Sequence, residues 1–167
     1  LGSVAEELSS LERRIQEFID AYYLRGVGIN LDRRLNDFPA GFPPRRQATP
    51  AVGGAFTVRR STSSGTTTVA QGGMLVQASL QLPTVYTNAV AFSITPGNFE
   101  VQDIPFIALT PGAAGNLPQP NLVDTILRGL PELVECTNTQ PLAGGNDRER
   151  DDQLRARAER WVASLAL

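Results

Sequence analysis

The sequence predicts an α+β chain: an N-terminal helix, a central and mostly antiparallel β domain, and a capped C-terminal helix. Three observations carry that expectation. In the first two dozen residues, apolar positions recur at alternating intervals of four and three, the repeat of a helix face. From Gly54 to Leu109 the text becomes runs of β-branched, aromatic and small residues, divided by Gly72-Gly73, Pro83-Thr84 and Pro96-Gly97-Asn98, which are turn signals. After Gly144-Gly145 it changes again, to charged residues with helical spacing. The expected division is a helical segment at 1–38, a Pro-rich connector at 39–53, a β domain at 54–140 with a short helix near 121–128, and a turn with its C-terminal helix at 141–167.

The first helix is signalled by Ser3 with Glu6 three residues on, a capping box, and should run to about Leu24. Val4, Leu8, Leu11, Ile15, Phe18 and Tyr22 make one apolar seam, while Glu6, Glu7, Glu12, Arg13, Arg14 and Glu17 occupy the other faces. A seam of this kind needs a partner surface. It is supplied either by the helix's own domain or, as an interface, by copies of the chain or a neighbouring protein.

Gly26 and Gly28 interrupt the helix, and their position after a helix reads as a C-terminal cap, since a dinucleotide-type G-x-G follows a strand. Asn30-Leu31-Asp32 begins a second short helix to about Asp37. Pro39, Pro43, Pro44 and Pro50 then hold an extended connector around Arg45-Arg46, where two adjacent Arg read as solvated charge. The strands expected next are Ala55 to Arg59, Thr66 to Ala70, Met74 to Leu82, Val85 to Ile94 and Phe99 to Leu109, with Ser61 to Thr68 a polar loop or hairpin tip. Ala108 to Pro120 reads as a loop. Asn121 or Asp124 is placed to cap a short helix through Leu127-Arg128, and Leu133-Val134 opens a last strand whose Cys136 suits a small core position.

The C-terminal helix is expected to start at Asn146 or Asp147, with Glu149 completing a capping box and acids filling its first turn. Arg148 with Asp152, and Asp151 with Arg155, would be exposed pairs four residues apart. Leu154, Ala158, Trp161 and Leu165 share one face, with Trp161 a core anchor.

Composition limits the chemistry. All fifteen basic residues are Arg, and there is no His and one Cys, which removes Ser-His and Cys-His nucleophile pairs, His bases, imidazole metal ligands and an internal disulfide framework. A lone Cys suits a reducing compartment. A net charge of -2 does not suit a nucleic-acid binder. No run reaches the roughly 20 apolar residues that span a bilayer. Asp147-x-Glu149-x-Asp151-Asp152 lacks the sixth-position Gly of a calcium loop and has Arg148 and Arg150 between its acids. Glu100 and Asp103 have no accompanying aromatic-lined site for sugar chemistry. The expectation is therefore of a chain with no catalytic residue, cofactor, metal or small-molecule substrate. A start at Leu1 suggests a piece of a longer protein.

Several ordered motifs, between Gly28 and Arg157, carry a resemblance. They are Gly28-x-x-Leu31-Asp32; Arg46-x-Ala48-Thr49-Pro50-Ala51-x-Gly53; Gly112-x-x-Gly115-Asn116-Leu117-Pro118; the strand ending Thr137-Asn138; Gly144-Gly145-Asn146-Asp147; the acids Glu149 to Asp152; and Leu154-Arg155-Ala156-Arg157. Together they resemble the baseplate J-like proteins of contractile phage tails and related injection systems. The chain departs from that pattern at Glu132, where the family has Gly, and at Thr68 to Gly72, where a Pro is missing. The resemblance implies a structural wedge protein of the tail baseplate. Such a protein would associate with copies of itself and with other baseplate proteins around the hub, and would rearrange as the sheath contracts. It also implies a place in the virion, reached by assembly in the bacterial host cytoplasm, with no nucleic acid, membrane or cofactor as partner. The competing class is a β-rich receptor- or glycan-binding module.

Overall fold

Alternating burial along two long strands sets the centre of the β region. In the computed structural model, which describes residues 4–19, 25–37, 42–78 and 84–165, β1 is Val52–Arg60 and β6 is Glu100–Ala108. Between them lie β2 (Thr67–Val69), β3 (Leu75–Gln77), β4 (Val85–Asn88) and β5 (Phe92–Ile94), and after them β7 (Thr125–Arg128) and β8 (Leu133–Asn138). Phe56 and Val58 of β1 and Ile104 and Phe106 of β6 point into one core, where the Phe56 and Phe106 rings stack at 4.2 Å. Each such side chain contributes about 1.5–3 kcal/mol on leaving water. Six strands form one sheet in the order β7-β3-β4-β6-β1-β8, and β2 pairs with β5 in a second; every named pairing is antiparallel. The α+β expectation stands.

The chain divides into a β unit, residues 48–148, and a helical unit formed by residues 1–47 with 149–167. In the helical unit, α1 is Val4–Ile19, α2 is Ile29–Asn36 and α3 is Asp151–Leu165. Leu31 and Leu35 of α2, Phe42, and Leu154 and Ala158 of α3 form its apolar cluster. Trp161 packs on that cluster and meets the Phe42 ring edge-on at 5.4 Å. Ser3 and the expected continuation of α1 through Leu24, with Tyr22, lie outside the described residues.

Four expectations need correcting. The run Val85 to Ile94 is not one strand: Asn88 ends β4 by turning its buried amide on the neighbouring backbone. Its Nδ2 donates to the Ala70 and Val90 carbonyls and its Oδ1 accepts from the Met74 N–H, so β5 leaves for the second sheet. The short helix near 121–128 is a strand. Asn121 takes φ 59, outside the helical region, and the β-branched Thr125 and Ile126 pair with Gln77 and Val76.

The C-terminal helix begins at Asp151, not at Asn146 or Asp147. Arg150 precedes it and donates its N–H to Gln153 Oε1, while the Asp147 and Glu149 side chains are engaged elsewhere. Gly28, read as the end of the first helix, instead caps the start of α2 with φ 54. That backbone conformation costs Gly little.

Candidate functional site

The motif residues gather in two clusters, one per unit, and the apolar face of α1 carries none of them. In the β unit, Asn116 is the organising side chain. Its Nδ2 donates to the Gly145 carbonyl and its Oδ1 accepts the Gly145 N–H, both at 2.9 Å, so one amide imitates a strand partner. Gly145 has no room for a side chain, since a Cβ would lie 2.4 Å from the Gly112 carbonyl oxygen and 2.9 Å from Asn116 Oδ1. Gly115 is also crowded, though less so, with Ala108 Cβ 2.9 Å from where its own would be. Its carbonyl accepts the buried Tyr86 hydroxyl. Asp147 turns back to take the Ala113 N–H at 2.8 Å.

Thr49 and Asn146 exchange backbone bonds, and Thr49 Oγ1 donates to the Gly144 carbonyl. Gly53 and Gly144 both have positive φ, 103 and 89. Asn138, fully buried at the end of β8, satisfies every position of its amide. Nδ2 donates to Gln119 and Gln140 carbonyls, and Oδ1 accepts from Leu122 and Val123 N–H groups. The cluster is thus built from backbone, Gly and amides, with one carboxylate.

In the helical unit the same kind of bracing is done by charge. Arg45, whose side chain is 5% exposed, donates Nε to Asp32 Oδ1 at 2.6 Å, one terminal nitrogen to the Glu149 carbonyl at 2.7 Å and the other to Asp151 Oδ1 at 2.7 Å. Asp151 Oδ2 in turn accepts the Gly28 N–H. Arg157 grips both oxygens of Glu149, at 2.8 and 2.7 Å, and lies over the Phe42 ring. It also donates to the Pro43 and Pro44 carbonyls. Arg46 contributes mainly its backbone: its N–H goes to Glu149 Oε2 and its carbonyl accepts the Glu149 N–H, while its charge adds a weaker attraction to the same carboxylate. Arg155 donates to the Gly26 carbonyl, and Leu31 and Leu154 lie buried beneath.

The electrostatics follow from these bonds. The Arg157 guanidinium, against the opposing effect of burial, and the Arg46 N–H hold the Glu149 carboxyl below its ordinary pKa. The Gly28 N–H and then Arg45 do the same for Asp151. Burial works against the Arg45 charge, but Asp32 and Asp151 outweigh it and keep its pKa above the usual value. Asp147, Glu149 and Asp151 therefore turn to three separate sets of partners and do not converge as a calcium loop would. Burial pushes the Cys136 thiol up to about 12, with Glu135 adding to it, so at neutral pH this group is a protonated core side chain.

Sequence reasoning missed Arg45, read as solvated, and Glu149, read as a cap. It also missed Arg60, 3% exposed, whose guanidinium collects the Ser64, Gly65, Thr95 and Asn98 carbonyls and Thr67 Oγ1, drawing residues 61–67 around it. The only available signal was position: Arg60 falls on the inward side of the Phe56-Val58 alternation.

The seam of α1 is solvent-facing. Val4, Leu8, Leu11, Ile15 and Phe18 are between 49% and 73% exposed. None of the described helices is long and apolar enough to cross a membrane.

No family model matches the chain, and no curated protein matches it. Among solved structures it is similar to a chain of the anti-feeding prophage (AFP) baseplate, a 6-fold symmetrised cryo-EM structure, with a TM-score of 0.54 and 14% identity. The match covers 96% of this chain and 46% of that one, so this chain corresponds to less than half of its neighbour's length. The likeness is one of fold.

Proposed function

We propose that the chain is a structural part of the baseplate of a contractile tail or injection system, as a wedge protein of the J-like kind. In that role it docks on other copies of itself and on other baseplate proteins. The observation that carries the reading is the fold likeness to the prophage baseplate chain, which extends over 96% of the residues here. The two clusters are compatible with it: the motif residues brace backbone against backbone in the β unit and strap an extended segment to two helices in the other, as a part that transmits force needs. The α1 seam, apolar and largely exposed, is the first candidate docking surface, formed by Val4, Leu8, Leu11, Ile15 and Phe18, with Tyr22 continuing it in sequence. Docking energy divided over several modest surfaces lets an assembly rearrange, since a difference of a few kcal/mol is enough to exchange two states. On this reading the chain resides in the tail baseplate and acts without cofactor or substrate.

The test is to co-express the protein with those encoded beside it and measure the mass of what co-purifies. A heteromeric complex of defined stoichiometry is expected. A chain that remains alone through that procedure, or that maps away from the baseplate in an imaged particle, would refute the assignment.

A further inference from the structure

The six-stranded sheet departs from the common pattern in which one face of an antiparallel sheet is apolar and the other polar. Its inner face is closed by β2 and β5, which add Val69, Phe92 and Ile94 to the core of Phe56 and Phe106. Among the described residues of the β unit, no strand covers the outer face. There Leu75 stands opposite Thr87, Thr87 opposite Ile107 and Ile107 opposite Val52, so a row without charge crosses β3, β4, β6 and β1. The Leu109 N–H bonds to the Val85 carbonyl and sets these two side chains in a second row beside the first. Val52 and Leu109 are 51% and 53% exposed, and Leu75, Val85 and Ile107 are half-buried. By strand and residue spacing the patch covers roughly 300 Å², a size at which apolar surface is often functional. Alone it is too small for a stable interface.

Farther along the same strands the outer face becomes acidic. Glu100 of β6 and Glu135 of β8 flank Arg59 of β1, at 3.2 and 3.3 Å. Asp103, at the bulge opposite Thr57, is exposed and has φ 59. Three carboxylates against one guanidinium leave this half net negative. The two halves are continuous, since the outward residues run from Val52 to Arg59 along β1 and from Ile107 to Glu100 along β6.

We infer that this face docks a segment of another baseplate protein in which apolar side chains run into a cluster of Arg or Lys. The apolar part covers the rows of Ile107 and Val85, and the cations meet Glu100, Asp103 and Glu135. A second copy of the chain fits less well, because a copy laid on the apolar half leaves the acids of both chains without counter-charge. Charge of one sign beside an apolar patch fixes both the register and the choice of partner. The inference rests on the reading of the chain as a baseplate part and adds the chemistry of one neighbour.

The test uses the full chain co-expressed with the proteins encoded beside it, each identified by mass in the complex that forms. Leu109→Glu should weaken that complex at least roughly tenfold. The melting temperature of the free chain should stay where it was, because the side chain is already half exposed. Should it fall, Val52→Glu on a different strand repeats the measurement. Glu100→Gln with Glu135→Gln should weaken binding roughly fivefold and flatten its dependence on salt, which a purely structural role of these residues would not do. A complex that tolerates both apolar substitutions would overturn the inference and leave the baseplate reading intact. So would a salt dependence unchanged by the loss of the two carboxylates, or a natural chain that forms homodimers abolished by Leu109→Glu. If no encoded neighbour binds, the baseplate reading and the inference fall together.

Discussion

The Gly-and-amide cluster of the β unit and the charged cluster of the helical unit are braced in different chemistry, and the difference governs what each tolerates. Around Gly145 and Asn138 the bonds run between neutral amides and backbone, in space too tight for a Cβ. Around Arg45 and Arg157 they run between guanidinium and carboxylate groups, the carboxylates of Asp32 and Asp151 being partly open to water. A neutral network is insensitive to acid but intolerant of shape. A charged one accepts some change of shape but depends on its protonation state. Buried ion pairs of this kind repay their desolvation only when their nitrogens and oxygens find partners, as each nitrogen of Arg45 and each carboxylate oxygen of Glu149 does here.

The comparison can be broken most forcefully at Gly145. Gly145→Ala should cost about 3–4 kcal/mol, because the obstacle is the Gly112 backbone and not a side chain that could swing away. Thermal melting measures it, and a loss below about 1 kcal/mol would show that the backbone there yields easily. Asn138→Ala should follow at about 3 kcal/mol, since it strands the half-buried Leu122 and the buried Val123 N–H groups. Hydrogen exchange should then rise in residues 119–123 first.

Arg45→Met sharpens the contrast. Its expected cost is about 2 kcal/mol, moderated by the partial exposure of Asp32 and Asp151 to water, and confined to the helical unit. The single tryptophan, Trp161, reports on that unit, so its fluorescence should shift while exchange in β1 and β6 stays as it was. Acid should separate the units as well. Glu149 and Asp151 titrate below their ordinary range in the folded chain, so the unfolded chain binds protons first as the pH drops. Their stabilising contribution is complete at neutral pH, and it is lost as the pH falls from the ordinary carboxylate range through the folded values. An acid titration should show Trp161 responding before the β core. A simultaneous transition would mean that these two carboxyls do not decide it. The smallest effect on stability is expected for Leu11→Asp with Ile15→Asp, within about 0.5 kcal/mol, because both side chains are already exposed. Assembly, measured by co-purification, is where that pair should tell.

Much of the candidate site was visible as text. Gly112, Gly115, Asn116, Gly144 and Gly145 stand out as turn-forming residues, and their convergence gives each a steric or hydrogen-bonding reason to be what it is. Other parts misled for identifiable causes. Asn146, Asp147 and Glu149 satisfy the local rule for a helix start, but Asp147 reaches Ala113 and Glu149 reaches Arg46 and Arg157, and these bonds outcompete the cap. Asn121 and Asp124 likewise satisfy the rule for a cap, while β3 offers the following residues a strand to pair with.

Local order therefore came from the sequence itself: the helix periods, the Gly and Pro turns, the alternation that puts Phe56 and Phe106 inside, and the absence of His and Lys with all the chemistry that entails. Tertiary structure decided the partners of the polar groups. Arg45 looks like any surface Arg until a carbonyl 104 residues away and two carboxylates from separate helices surround it. Periodicity describes how a residue sits relative to its near neighbours, whereas the burial of a charge depends on groups that only the folded chain brings within 3 Å.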